Sequence, residues 1–80
     1  MARYFFDIHN TRFSSVDEDG QECRDRDAIS DHALKILCAI ARDKPLDHLN
    51  GQLGATVRDG ADHVVLTANV ALSVTWVAKA

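Results

Sequence analysis

The chain has 80 residues, 46% of them hydrophobic and 26% charged, which fits one folded domain spanning residues 1–80 rather than a disordered segment. Its nine basic residues are scattered among twelve acidic ones, for a net charge of −3, whereas nucleic-acid binders normally cluster Lys and Arg on one surface. No apolar run approaches the roughly 20 residues needed to cross a bilayer, so we expect a cytoplasmic protein with Cys23 and Cys38 as reduced thiols.

The first predicted strand covers residues 3–9, where Tyr4, Phe6 and Ile8 alternate with more polar positions. Residues 10–12 resemble a turn, and residues 13–16 can return as a short second strand. An acidic turn at 17–20 follows, in which Gly20 is free to adopt a positive φ. Residues 21–23 should form only a brief extended segment that leads into a helix.

The helix should run from Arg26 to about Arg42, with Asp25 as its N-cap and Pro45 preventing its continuation. One line of the helix carries a core stripe of apolar residues: Ile29, Ala33, Ile36, Leu37 and Ile40. The apolar arc is wider than packing on one sheet requires, because it also includes Leu34, Cys38 and Ala41. That excess flank should meet either the loop carrying Leu46 and Leu49 or another subunit.

The third predicted strand spans residues 52–59, and a turn over 59–62 offers Gly60 for the strained position. The last predicted strand, from His63 to Trp76, carries apolar residues at every even position from Val64 onward. It is too long for the third strand to pair fully. Residues 70–77 should therefore lie beside either the first strand or a second molecule.

The element order β-β-α-β-β predicts an α+β two-layer sandwich, with one helix on a mainly antiparallel four-stranded sheet. The strand order is left open between 2-1-3-4 and 2-1-4-3.

Several short motifs follow one another along the chain: Arg3-Tyr4-Phe5-Phe6-Asp7-Ile8, Asp17 with Asp19-Gly20-Gln21-Glu22, Asp25 with Ala28, Ile40-Ala41-Arg42-Asp43, and Val57-Arg58-Asp59. These motifs, in this order, resemble a family of small bacterial proteins grouped as a domain of unknown function. The chain departs from the family pattern at Cys23-Arg24 and at His32. The resemblance implies a fold and carries no activity. A fainter likeness, at the level of the fold, is to small β-rich antitoxin domains that pair with ribonuclease toxins.

The sequence contains no convincing catalytic or metal-binding constellation, and we expect neither an enzyme nor a bound cofactor. The acidic residues Asp17, Asp19 and Glu22 lack the spacing of a calcium loop and should form a solvated turn. The four histidines lack the local pairing of zinc ligands and should lie at the surface. Cys38 has Arg42 one helical turn away, yet packing or an interface explains it better than redox chemistry.

We therefore expect a non-enzymatic module that binds a protein partner or a second copy of itself, as a homodimer. One alternative is a metal- or small-ligand-binding protein that uses the acidic turn with His9 or His63. The other is an antitoxin-like or nucleic-acid-associated regulator that uses Arg3, Arg12, Arg24 and Arg26. The candidate interface consists of apolar residues on the helix flank and the last strand: Leu34, Cys38, Ala41, Val70, Leu72, Val74 and Trp76.

Overall fold

The computed structural model describes residues 1–50 and 53–78. The elements, in chain order, are β1 (Ala2–His9), β2 (Ser14–Ser15), β3 (Gln21–Cys23), α1 (Arg26–Asp43), a short 3-10 helix (Pro45–His48), β4 (Leu53–Arg58) and β5 (Val64–Val70). The chain therefore has the predicted α+β class, with one helix on an antiparallel sheet.

The main path of the sheet is β2-β1-β4-β5, so the structure selects the first of the two predicted strand orders. In addition, the segment expected to be a mere lead-in to the helix pairs with β1 as a fifth strand. Because β2 pairs with the end of β1 and β3 with its beginning, these two short strands share one edge of β1 and β4 occupies the other. The register sets Phe6 opposite Val57 and Val57 opposite Leu66.

The helix forms where its local signals place it. The Asp25 carboxylate accepts a hydrogen bond from the Ala28 amide at 2.8 Å, as an N-cap should. The predicted Asp31–Lys35 pair is present at 2.8 Å. One face of α1 and one face of the sheet form the core, whose fully enclosed side chains include Leu37, Leu53 and Val57.

The prediction that the last strand continues to Trp76 is wrong, since β5 ends at Val70. The reason is the supply of partners: the first residue of β4, Leu53, pairs with Val70, and both edges of β1 are already occupied. Beyond Val70, the described backbone forms only an isolated bridge between Leu72 and Leu49, with an Asn50 N–Leu72 O hydrogen bond of 2.8 Å.

Two further details differ from expectation. The loop after the helix begins as the 3-10 helix that Pro45 starts. In the 59–62 turn the positive φ falls on Asp62 (66°) rather than on Gly60. The Asp59 carboxylate stabilises this form of the turn by accepting hydrogen bonds from the amides of Ala61 and His63. Gly20 does adopt the predicted positive φ, at 76°. The predicted third strand began at residue 52, which lies outside the described residues.

Within the parts of the chain that the structure describes, no helix is both long enough and apolar enough to span a membrane.

Candidate association surface

An ionic network on the sheet face opposite the helix holds two strands and two turns together. The Arg58 guanidinium donates to both carboxylate oxygens of Asp7, at 2.7 and 3.1 Å, and to Asp62 at 2.7 Å. It also donates to the backbone oxygen of Asp17 at 3.0 Å and lies 5.1 Å from the Phe5 ring centre. The hydrogen bond from Arg58 lowers the pKa of Asp7 despite its partial burial, and it keeps the pair ionised. This network cross-links β1, β4 and the turns at either side of them.

Asp17 connects the acidic turn to the same network. Its Oδ2 accepts from the Phe6 amide at 3.1 Å, and its Oδ1 accepts from the amides of Asp19 and Gly20, each at 3.1 Å. Burial acts to raise the pKa of Asp17, but these backbone hydrogen bonds outweigh it, so the pKa lies below its ordinary value. Phe6 lies between the parts of β1 that pair with β2 and with β3, so the carboxylate occupies the gap between two strand partners.

The acidic turn therefore has a structural task. Both oxygens of Asp17 already accept backbone hydrogen bonds, and Arg3 pairs with Glu22 at 3.8 Å. Over residues 1–50 and 53–78, no group of three or more His, Cys, Asp or Glu side chains is arranged to hold a metal ion.

Three of the histidines differ in their surroundings. His9 and His63 are exposed, and His32 packs edge-on against Phe6 with ring centres 4.6 Å apart. The prediction that every histidine lies at the surface is wrong for His48, which is only 8% exposed.

His48 borders a cavity of about 290 Å³ between the helix end and the β1–β2 turn, lined also by Arg12, Phe13, Ile40 and Lys44. Its Nδ1 is buried without a hydrogen-bond partner among the described residues. No pattern in the sequence predicts this burial, since it depends on the 3-10 helix that begins at Pro45.

The outer edge of β5 is the most unusual surface of the molecule. Within the described chain, β5 pairs with β4 on one side and has no strand on the other. Exposed edge strands usually carry Lys or another charged residue, or a Pro, which discourages pairing with a second chain. Here no residue from Val64 to Ala78 is charged, and none is Pro or Gly.

Residues 71–78 continue from β5 as an extended segment, which we call the arm. Three of its apolar side chains are strongly exposed: Val74 by 63%, Trp76 by 77% and Val77 by 95%. The radius of gyration is 14.5 Å with a longest dimension of 53 Å, whereas a compact chain of this length has a radius of about 12 Å. Trp76 is thus not a core residue of its own chain.

The predicted interface residues separate into an exposed group and a packed group. Leu34 and Cys38 are exposed, as are Val74 and Trp76. Val70 and Leu72 are half-buried and pack against the core of their own chain. Ala41 was wrongly placed on the surface flank: it is buried beside Leu37 and Leu53, because the buried line of the helix runs through Leu37 and Ala41, while Ile36 and Ile40 are only half-buried.

A second cavity, of about 390 Å³, lies beside this edge and is lined by Tyr4, Arg26, Ile29, Ser30, Val65 and Leu66. A β-bulge contributes to it: the register passes from Val57 opposite Leu66 to Arg58 opposite Val64, which leaves Val65 as the extra residue. The bulge explains why the neighbours Val65 and Leu66 both reach the cavity. Periodicity alone predicts opposite faces for them, so sequence reasoning missed this site.

Exposed apolar residues on the helix lie on the β5 side. Ser30 lines the cavity together with residues of β5, and Leu34 and Cys38 follow it at successive spacings of four. The opposite flank faces β1, because His32 contacts Phe6. The edge of β5, the arm and the flank of Leu34 and Cys38 therefore form one continuous region, which we call the edge surface.

The two cysteines have contrasting environments. Cys23 is buried, and this burial raises the pKa of its thiol, whereas Cys38 is exposed on the edge surface.

Comparison with known proteins gives one match. The model of a family described as a domain of unknown function (DUF6894) matches residues 3–71. No curated protein matches the chain, and no solved structure does.

Proposed function

Since the chain belongs to this family of unknown function, we propose its role from its geometry: it is a non-enzymatic bacterial cytoplasmic protein that binds a protein partner by strand addition at the edge surface. The observation that carries the proposal is the uncharged sequence from Val64 to Ala78, which forms both an unpaired sheet edge and an exposed apolar arm.

Strand addition explains the backbone of β5. A strand at the edge of a sheet presents unpaired N–H and C=O groups, and an extended partner segment can satisfy them by forming one more strand. The alternating side chains of such a segment then supply the specificity. On the helix side of the edge they would meet Leu34 and Cys38, whose exposure is otherwise unexplained.

The arm supports a role of this surface in association with a partner. Aromatic residues are enriched at the centres of protein interfaces, where they supply much of the binding energy. An exposed Trp beside two exposed Val residues gives such a centre to the arm. A partner that covers these three strongly exposed apolar side chains removes them from water, which favours association.

The two alternative functions receive less support. An ion bound by the acidic turn would compete with the backbone hydrogen bonds that Asp17 accepts from Phe6 and Gly20. For nucleic acid, Arg3 and Arg24 each lie beside an acidic side chain, with N–O distances of 3.8 Å.

The test is affinity capture from native extract with three tagged forms of the protein: wild type, Val74→Asp and Thr75→Asp. The two substitutions introduce the same charge at neighbouring exposed positions of the arm, but on opposite faces. We expect a stoichiometric protein partner, which includes the untagged chain itself, to be retained by the wild type and Thr75→Asp and lost from Val74→Asp. A captured set that is the same for all three forms, or no capture at all, refutes strand addition through this surface.

A further inference from the structure

We infer that the partner is a second copy of this chain, and that two copies exchange arms so that Trp76 of each enters the cavity beside β5 of the other. This inference rests on the proposed function and names its partner. The molecule carries both halves of the contact: the exposed indole of Trp76, and an open cavity next to the edge that the arm would extend.

The chemistry of the cavity suits an indole. Its volume of about 390 Å³ falls within the roughly 300–1,000 Å³ of cavities that bind small molecules, so it has room for an indole ring. Ile29 and Leu66 provide apolar walls, and the Ser30 hydroxyl offers an acceptor for the indole N–H. The Arg26 guanidinium at the rim can lie over the ring face, which is a favourable cation–π arrangement.

The register of the exchange follows from the sequence. In an antiparallel pair, residues directly opposite each other point to the same face. Leu66 points toward the helix and packs on the core, so a partner's Trp76 set opposite Leu66 also points toward the helix side, where the cavity lies.

The same register sets Val74 of the arm opposite Ala68, and Leu72 opposite Val70. The positions that face the helix thus coincide along the whole length of the pairing. Val74 would then lie near the exposed Leu34.

This register is also compatible with a two-fold symmetric dimer. Trp76 and Leu66 lie equally far from Ala71 along the chain, so a two-fold axis at Ala71 makes both arms perform the same contact. A two-fold arrangement pairs the β5 edges of the two copies with each other, so this contact does not propagate into a filament. Two buried indoles contribute about 300–500 Å² of buried surface. The paired strand segments add more, and a stable interface buries about 1,200 Å² or more in total.

The experiment uses the purified chain, whose single tryptophan is Trp76. Sedimentation equilibrium and intrinsic fluorescence are measured over the same concentration range. We expect a monomer–dimer equilibrium in which the emission moves to shorter wavelength as the dimer forms. We expect Trp76→Phe to retain dimerisation and Trp76→Ala to weaken it at least about tenfold. Val16→Asp serves as the control, because Val16 is exposed and lies outside the edge surface, and it should dimerise as the wild type does. Circular dichroism checks that each variant is folded.

A mixing experiment tests the exchange itself. Trp76→Ala removes the arm's anchor and Ser30→Arg fills the cavity, so each variant alone should be monomeric. Mixed in equal amounts, they restore one of the two contacts and should form a heterodimer of intermediate affinity. A purified chain that stays monomeric at high micromolar concentration overturns the inference, and so does a dimer whose emission does not shift. Capture of another protein that depends on Val74 would, in either case, leave the proposed strand addition standing.

Discussion

Replacing Asp17 with Ala tests the most specific claim about how this fold is held together. The carboxylate reaches the Phe6 amide in the gap between β2 and β3, and it also accepts from the amides of Asp19 and Gly20. A partly buried amide without a partner costs about 1–3 kcal/mol, whereas the exposed turn amides can turn to water at little cost. We therefore expect the free energy of unfolding to fall by about 2 kcal/mol. With the shallow denaturant dependence of a small domain, this shifts the urea midpoint down by about 1–2 M.

The same difference should depend on pH in a defined direction. The pKa of Asp17 is lowered in the folded chain, so its contribution is complete above the pKa of the unfolded chain. The ordinary value for an aspartate is about 3.9. The gap between wild type and Asp17→Ala should stay constant from neutral pH to about pH 5. It should narrow as the pH falls through about 4 and into the lowered folded-state pKa, because the wild type then loses the same carboxylate.

Two variants make this measurement interpretable. Asp17→Asn keeps one of the two acceptor oxygens and should give an intermediate loss. Asp19→Ala removes a neighbouring carboxylate that makes no hydrogen bond to another described residue, so it should change stability little. Urea unfolding of Asp17→Ala within about 0.5 kcal/mol of wild type at neutral pH, or a gap that widens in acid, would contradict the role assigned to the carboxylate.

Three further substitutions or probes follow from the structure. Gly20→Ala should destabilise the fold by about 1–2 kcal/mol in thermal unfolding, because φ is 76° and a new Cβ would lie 2.8 Å from Arg3 Cγ; an unchanged midpoint would contradict this. In thiol titration with a disulfide reagent, Cys38 should react at once and Cys23 only as the chain unfolds, since Cys23 is buried with a raised pKa; equal rates would contradict it. His48→Phe should leave the free energy of unfolding equal or about 1 kcal/mol higher, because it removes an unpaired buried Nδ1; a clear loss would mean that this nitrogen has a bound partner.

The fold could be predicted because its signals are local. Alternation in residues 3–9, the cap at Asp25 and the break at Pro45 each determine one element without reference to the others. The strand order needed long-range information, since both predicted orders satisfy the same alternation. The extra strand β3 escaped prediction because a three-residue strand carries almost no periodicity, and its pairing with Ala2–Tyr4 depends on how the acidic turn bends.

The exposure of the candidate interface residues was predicted in part. Leu34 and Cys38 are exposed, as an apolar arc wider than one sheet can cover predicts. Ala41 was misplaced because it lies at the border between the core side and the exposed side of the helix, where a small difference in helix orientation decides whether a residue is buried. The arm was mistaken for strand because its alternation is as regular as that of β5. Periodicity reports which residues share a face; it does not report whether a neighbouring strand exists to pair with them.

The extent of the family match bears on where association belongs. The family model covers residues 3–71, which include the helix, all five strands apart from Ala2, and the network of Asp7, Asp17 and Arg58. The match stops before Trp76, whereas all the residues that line the cavity beside β5 lie within the matched range. The residues that resemble the family thus account for the folded unit, and arm exchange requires a segment beyond it. We therefore expect a chain cut after Ser73, which keeps the contact of Leu72 with the core, to keep its folded unit and lose its dimer, which circular dichroism and sedimentation would show. A truncated chain that still dimerises would place the interface within the family domain itself.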